Sequence, residues 1–247
     1  MSVYQNLISA ARTKGAGYFI LVDPDKIDEK SFPKFIEQAS EAGVDGFLVG
    51  GSLVLADTFE ECIKTLKKIA NVPVVIFPGS VQQISKEADA ILYLSLLSGR
   101  NAEHIIGSQV TAAPIIRKMN LEAISTAYML VESGRTTSAE FMSNTKPLPR
   151  NKPDIAVAHA LAAELIGFKF IYLEAGSGAE QPVPDDMVAA VSHHCSVPLI
   201  VGGGIRTAEA AYKKVNAGAQ FIVTGNVLEQ NGTNGLMKEF ASAIHHR

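Results

Sequence analysis

Short apolar runs rich in Val, Ile, Leu and Phe alternate along this chain with longer segments in which apolar positions recur at helical spacing. The strand-like runs fall at residues 18–22, 46–49, 74–77, 90–94, 124–131, 170–173, 199–201 and 221–224. Helical periods fall at residues 3–14, 31–42, 57–70, 102–117, 154–166, 183–194 and 237–244, and another is opened by Thr207. Asp57 with Glu60 reads as a capping box at the start of its helix. Only residues 81–87 lie between strands three and four, so the third helix is expected to be short or missing. Residues 132–153 are a long polar stretch, and such loops are usually functional or carry a small element of their own. Eight strands with a crossover after each, and no linker, predict an α/β fold, a (β/α)8 TIM barrel forming one domain over residues 1–247.

In a barrel of this kind the chemistry sits at the C-terminal ends of the strands. Strand seven ends in Gly202-Gly203-Gly204, followed by a helix, and strand eight ends in Thr224-Gly225-Asn226. Glycines at such turns bring backbone N–H groups close to a ligand without interference from a Cβ, which suits an anion such as phosphate. Strand one ends in Asp23, Asp25 and Lys26, strand two leads to Ser52, and strand three to Ser80 and Gln83. Strand four offers Ser98, Arg100 and Asn101, and strand five Tyr128 and Glu132. Strand six gives Tyr172, Glu174 and Ser177.

Two readings stand for each of these groups. Asp23 and Ser52 have the oxygens of a Mg²⁺ site completed by water and a ligand phosphate, or they cap their own turns. Glu174 binds substrate hydroxyls or accepts a proton, or it pairs with a neighbouring Lys or Arg. Tyr172 reaches a phosphate with its hydroxyl or fills a layer of the barrel. His159 reads as structural, and His193-His194 as a solvated helix end.

Composition narrows the class. A formal charge of −3 supplies no basic excess for nucleic acid. Cys62 and Cys195 are far apart, without metal or redox spacing, and read as reduced thiols. No apolar run reaches membrane-spanning length and no targeting segment is visible, so a cytoplasmic protein is expected.

The motifs VDPDK (22–26), FLVGGS (47–52), ADAILYLSLLSGRN (88–101), TAYMLVESG (126–134), YLEAGSG (172–178), VGGGI (201–205) and VTGN (223–226) carry a likeness that spans most of the chain. Together they resemble the geranylgeranylglyceryl phosphate synthases and their bacterial heptaprenylglyceryl phosphate synthase relatives. The resemblance implies a prenyltransferase that joins the 3-hydroxyl of sn-glycerol-1-phosphate to carbon 1 of a polyprenyl diphosphate. It puts Mg²⁺ on Asp23 and Ser52. It puts glycerol phosphate on Tyr172, Leu173, Glu174, Ala175, Gly176, Ser177 and Gly178, on Gly203 and Gly204, and on Gly225 and Asn226, with Tyr128 lining the site. Asp23 and Glu174 become the catalytic pair. The DDxxD motif of helical prenyltransferases is absent, and Asp185-Asp186 instead opens a helix.

Small residues near strand four, Ala88, Ala90 and Gly99, are candidates for an apolar groove that takes the prenyl tail. The resemblance implies a 20-carbon donor, because VDPDK and EAGSG stand where the 35-carbon relatives more often carry LDPNK and EYSG. The rivals are a phosphate-binding isomerase or lyase barrel, for which Lys26 and Lys169 are poorly placed as Schiff-base lysines, and a non-catalytic phosphate-binding barrel. Phe141 and Met142 stand among polar residues, either as a contact in a homo-oligomer (dimer or hexamer) or packed back on their own barrel. The lipidic product allows at most transient membrane contact, since no basic amphipathic helix marks a membrane surface.

Overall fold

The computed structural model describes residues 2–55, 57–225, 227–228 and 233–245, for 233 and 234 the backbone only. Eight parallel strands close into a barrel in sequence order: β1 (Gly17–Val22), β2 (Gly46–Val49), β3 (Val74–Ile76), β4 (Ala90–Leu96), β5 (Glu122–Leu130), β6 (Phe170–Glu174), β7 (Leu199–Gly202) and β8 (Phe221–Thr224). The helices are α1 (Val3–Lys14), α2 (Phe32–Ala42), α3 (Phe59–Ile69), α4 (Ser108–Met119), α5 (Ser138–Ser143), α6 (Pro153–Ile166), α7 (Asp185–His194), α8 (Ala208–Asn216) and α9 (Thr233–Ile244).

Strand alternation divides the apolar residues between two cores. Phe19, Leu48, Val75, Leu92, Ile124, Phe170, Tyr172, Ile200 and Phe221 point inward and fill the barrel. Their neighbours, among them Ile20, Phe47, Ile91, Met129, Ile171 and Leu173, point outward against the helices. The Phe19 and Phe221 rings stack at 5.1 Å, and Phe170 meets Phe221 edge-on at 5.4 Å. Helix α1 lays Leu7 and Ala11 against this inner core and closes the N-terminal end of the barrel. The closed end leaves the opposite end, where the strands finish, for the site.

No helix joins β3 to β4, so the expected gap in the third unit is real. Thr58, not Asp57, precedes α3, and no side chain caps that helix. The capping box predicted from Asp57 and Glu60 does not form, because the chain enters through a turn whose Thr58 hydroxyl donates instead to Pro24 O at 3.0 Å. The helix after β4 begins as a π-helical turn, Glu103–Gly107, before it settles into α4. The long polar stretch carries α5 and a single bridge between Val131 and Leu148.

At the closed end Asp45 ties three elements together. Its buried carboxylate accepts from the Tyr18 N–H at 2.8 Å, from Lys14 Nζ at 2.5 Å and from His245 Nε2 at 2.8 Å, which anchors the residue after α9 beneath β1. Burial alone would raise its pKa, but the hydrogen bonds from His245, Lys14 and Tyr18 outweigh burial and hold it below its ordinary 3.8. A depressed carboxylate stabilises the fold at pH values above its unfolded pKa and loses that contribution as pH falls through the folded one. Replacing Asp45 with Ala should therefore cost ~3 kcal/mol at neutral pH, and thermal melts should show the gap from wild type closing below about pH 4.

Candidate active site

The strand ends open into a cavity of about 670 Å³. Its polar half is built around β6. Tyr172 faces inward, Leu173 outward and Glu174 inward again, as the two-residue period requires. In the sheet Glu174 lies between Leu130 of β5 and Gly202 of β7. Below it, Tyr172 stacks on Phe77 at 5.3 Å and meets Tyr128 edge-on at 5.5 Å, so three aromatic rings floor the site.

Glu174 is 5% exposed and has no ion pair among the described residues. Its Oε1 accepts from the Gly176 N–H at 2.7 Å. Burial lifts its pKa to about 7, against the downward pull of the Gly176 N–H and the nearby Tyr172 hydroxyl. That hydroxyl is itself buried and lacks a partner with full hydrogen-bond geometry. Burial first, and then the Glu174 carboxylate, push both the Tyr172 and the Tyr128 phenol well above their ordinary value. Both phenols are therefore protonated donors at neutral pH, beside a carboxylate poised to gain or lose a proton.

The glycine turns close around this carboxylate. Gly203 and Gly204 have φ of +79° and +69°, a region that favours glycine. A methyl group at Gly203 would strike Glu174 Oε1 and stand 2.7 Å from the Gly176 nitrogen. Gly176 and Gly178 also turn with positive φ, and the turn from Gly176 to Gly178 borders the cavity beside Gly203 and Gly204. Arg206 fixes the two loops together by donating to Ala179 O at 2.6 Å and to Glu180 O at 3.2 Å. Gly225 reaches the same cavity from the end of β8. Asn226 lies outside the described residues.

At the opposite wall Asp23 caps the short 3₁₀ turn Pro24–Lys26, accepting from the Asp25 N–H at 3.2 Å. Its other oxygen pairs with Lys26 Nζ at 3.2 Å. Its carboxylate faces Gly51, and Ser52 lines the cavity beside it. The side chain of Gln83 holds that loop by donating to Gly51 O at 2.9 Å while accepting from the Gly51 and Gly79 N–H groups. One carboxylate and one hydroxyl are hard oxygen donors that suit Mg²⁺, provided a ligand and water supply the rest of the shell. Among the described residues no group of three His, Cys, Asp or Glu could hold a metal by itself.

The cavity continues beneath the missing helix. Val81, Ile84, Ile91, Tyr93, Ala112 and Ile116 line this apolar arm between β4 and α4. Ala88, Ala90 and Gly99, expected from position to line a groove, lie elsewhere. Ala90 faces the closed barrel interior, Ala88 joins the outer core, and Gly99 abuts Thr145. Two residues of the YLEAGSG motif also leave the site. The Leu173 and Ala175 side chains lie in the outer core, so only their backbone comes near it. Sequence reasoning overlooked Arg135, Arg206 and Phe77, which line the cavity. Phe77, an apolar residue just past β3, was open to notice; Arg135 lies in a stretch without periodicity.

The profile of the PcrB family matches residues 9–244. Geranylgeranylglyceryl phosphate synthase of Chitinophaga pinensis is 42% identical over 98% of this chain and 96% of its own length. The Pyrococcus furiosus protein of the same name is 46% identical over 87% of this chain and 86% of its own. The crystal structure of (S)-3-O-geranylgeranylglyceryl phosphate synthase from Thermoplasma acidophilum, in complex with its substrate sn-glycerol-1-phosphate, superposes with a TM-score of 0.94. It is 34% identical and fully covers both chains.

A carboxylate whose folded pKa is raised is penalised only where it must ionise. The penalty is absent below its unfolded pKa near 4.5 and complete above about 7. Glu174→Gln should therefore be more stable than wild type at pH 8, by on the order of 3 kcal/mol, and indistinguishable from it at pH 4. Thermal melts at the two pH values check this.

Proposed function

This chain belongs to the PcrB family, and we propose on that footing that it joins sn-glycerol-1-phosphate to geranylgeranyl diphosphate, giving geranylgeranylglyceryl phosphate and diphosphate. The observation that carries the reading is the buried Glu174 carboxylate, set against glycine turns in a cavity that runs on into an apolar arm. The name shared by its relatives and the glycerol phosphate bound in the T. acidophilum enzyme support it.

In this reading the phosphate of the acceptor rests on the N–H groups of the turns at Gly178, Gly203, Gly204 and Gly225. Its 3-hydroxyl then lies against Glu174. As the new C–O bond forms at carbon 1 of the donor, the bond from that carbon to diphosphate breaks. The hydroxyl proton passes to Glu174, and the leaving diphosphate keeps the bonding electrons. Tyr128 and Tyr172 orient the glycerol as donors, and the aromatic floor excludes water. Holding both reactants in line supplies much of the rate. Asp23 and Ser52 would hold Mg²⁺, which when bound neutralises the charge of the departing diphosphate. Asp23, already facing the Lys26 cation, has the charge for that role. The prenyl tail lies along Ile84, Ile91, Ala112 and Ile116.

Met142 lines the cavity of its own barrel, but the exposure of Phe141 at 77% supports self-association as a dimer or hexamer. A cytoplasmic enzyme that touches membrane only transiently fits a lipidic product.

The experiment that tests the reading supplies radiolabelled sn-glycerol-1-phosphate, Mg²⁺ and either the 20-carbon or the 35-carbon donor. Organic-soluble label with the 20-carbon donor is expected; label only with the longer donor transfers the chain to the heptaprenyl branch. Removing Mg²⁺ with a chelator should abolish turnover and leave glycerol phosphate binding in place. Glu174→Gln should lower kcat by about 10²- to 10⁴-fold. In the wild type, kcat/KM should fall about tenfold per pH unit below about pH 7, the range in which the base becomes protonated.

A further inference from the structure

The long loop after β5 does not wander over the surface. Its first part runs antiparallel along the loop that follows β6. Ser133 O accepts from the Gln181 N–H at 3.2 Å, Gly134 abuts Glu180, Arg135 lies against Gly178, and Thr137 lies against Gly176. The far end of the strap is pinned as well. Glu132 N–H donates to Leu148 O at 2.9 Å, and Arg150 reaches both Glu132 O and Pro182 O. Thr137 caps α5, and the Ser133 hydroxyl donates to Arg135 O at 3.2 Å, which fixes the backbone of the arginine itself.

The two cationic side chains on this wall are used differently. The guanidinium of Arg206 is spent on the carbonyls of Ala179 and Glu180. That of Arg135 lines the cavity and makes no hydrogen bond or ion pair among the described residues. It lies so near the turn that a methyl group at Gly178 would stand 2.5 Å from its Nη2. Amide N–H groups can position a phosphate dianion but carry no formal charge to offset it. A guanidinium supplies that charge and two parallel donors.

We propose that Arg135 is a ligand of the acceptor's phosphate, delivered over the Gly176–Gly178 turn by the strap. The assignment rests on the reading of these turns as a glycerol phosphate site. It separates the two anionic substrates: Arg135 serves the acceptor on the β5–β6 side, whereas Asp23 and Lys26 stand on the other wall, where the donor's diphosphate belongs. Position 178 requires glycine because its φ is +72°, and a Cβ there would also push the guanidinium aside.

The test measures binding of sn-glycerol-1-phosphate by calorimetry, without prenyl donor, to wild type, Arg135→Ala and Arg135→Lys, alongside steady-state kinetics. Arg135→Ala should raise the Kd and the KM for glycerol phosphate about thirtyfold, while the KM for the donor moves less than about twofold. Arg135→Lys should recover part of the loss, because it restores charge without the fork. Arg135 is exposed, so the melting temperature should not change. Unchanged affinity in Arg135→Ala beside normal wild-type binding overturns the assignment alone, as does a rise confined to the donor's KM. Wild-type protein that folds yet takes up no sn-glycerol-1-phosphate overturns the reading of the site and this assignment together.

Discussion

Glu174, buried with no cationic partner among the described residues, constrains everything around it. Glu174 is held by the Gly176 N–H and crowded by Gly203, so no residue with a Cβ can occupy position 203 unless the carboxylate moves. Burying its charge is costly, and protonation near neutrality caps that cost. That same property makes it a usable base. The glycines of β7, the turn after β6 and the aromatic floor of Phe77, Tyr128 and Tyr172 are each the complement of this one side chain.

The barrel distributes rigidity to serve this arrangement. Its lower end is sealed by α1 and cross-tied through Asp45, with large aromatic rings interlocked between them. Its upper end opens above the rings of Phe77, Tyr128 and Tyr172, where β6 and β7 end in Glu174 and Gly202, and its loops are braced by side chains such as Gln83 and Arg206. Omission of a helix between β3 and β4 leaves Ile91 and Tyr93, which face outward, lining a cavity that α4 bounds on its far side. A fold that lacks one layer over one strand pair thereby gains an apolar arm continuous with a polar site.

Much of this was legible in the sequence because period and punctuation are local. The strand runs, the glycine turns and the short third unit each declare themselves within a few residues. Glu174 could be aimed inward from its place one residue beyond an apolar run. What escaped depends on tertiary packing. The turn before α3 overrode the pattern of Asp57 and Glu60, and Leu173 went outward because strand alternation governs even within a functional motif. Ala88, Ala90 and Gly99 looked suitable for a groove by size, but the direction of each side chain, not its size, decides which space it lines. Arg135 was hidden for the same reason: the path of a polar loop follows from contacts distant in sequence.

The measurement that bears most directly on this account is a crystal structure of the protein with sn-glycerol-1-phosphate bound. Phosphate oxygens are expected on the N–H groups around Gly178, Gly203 and Gly204, with the 3-hydroxyl within hydrogen-bond reach of a Glu174 oxygen. A phosphate seated against Asp23 and Ser52, or a glycerol whose 3-hydroxyl points away from Glu174, would contradict it.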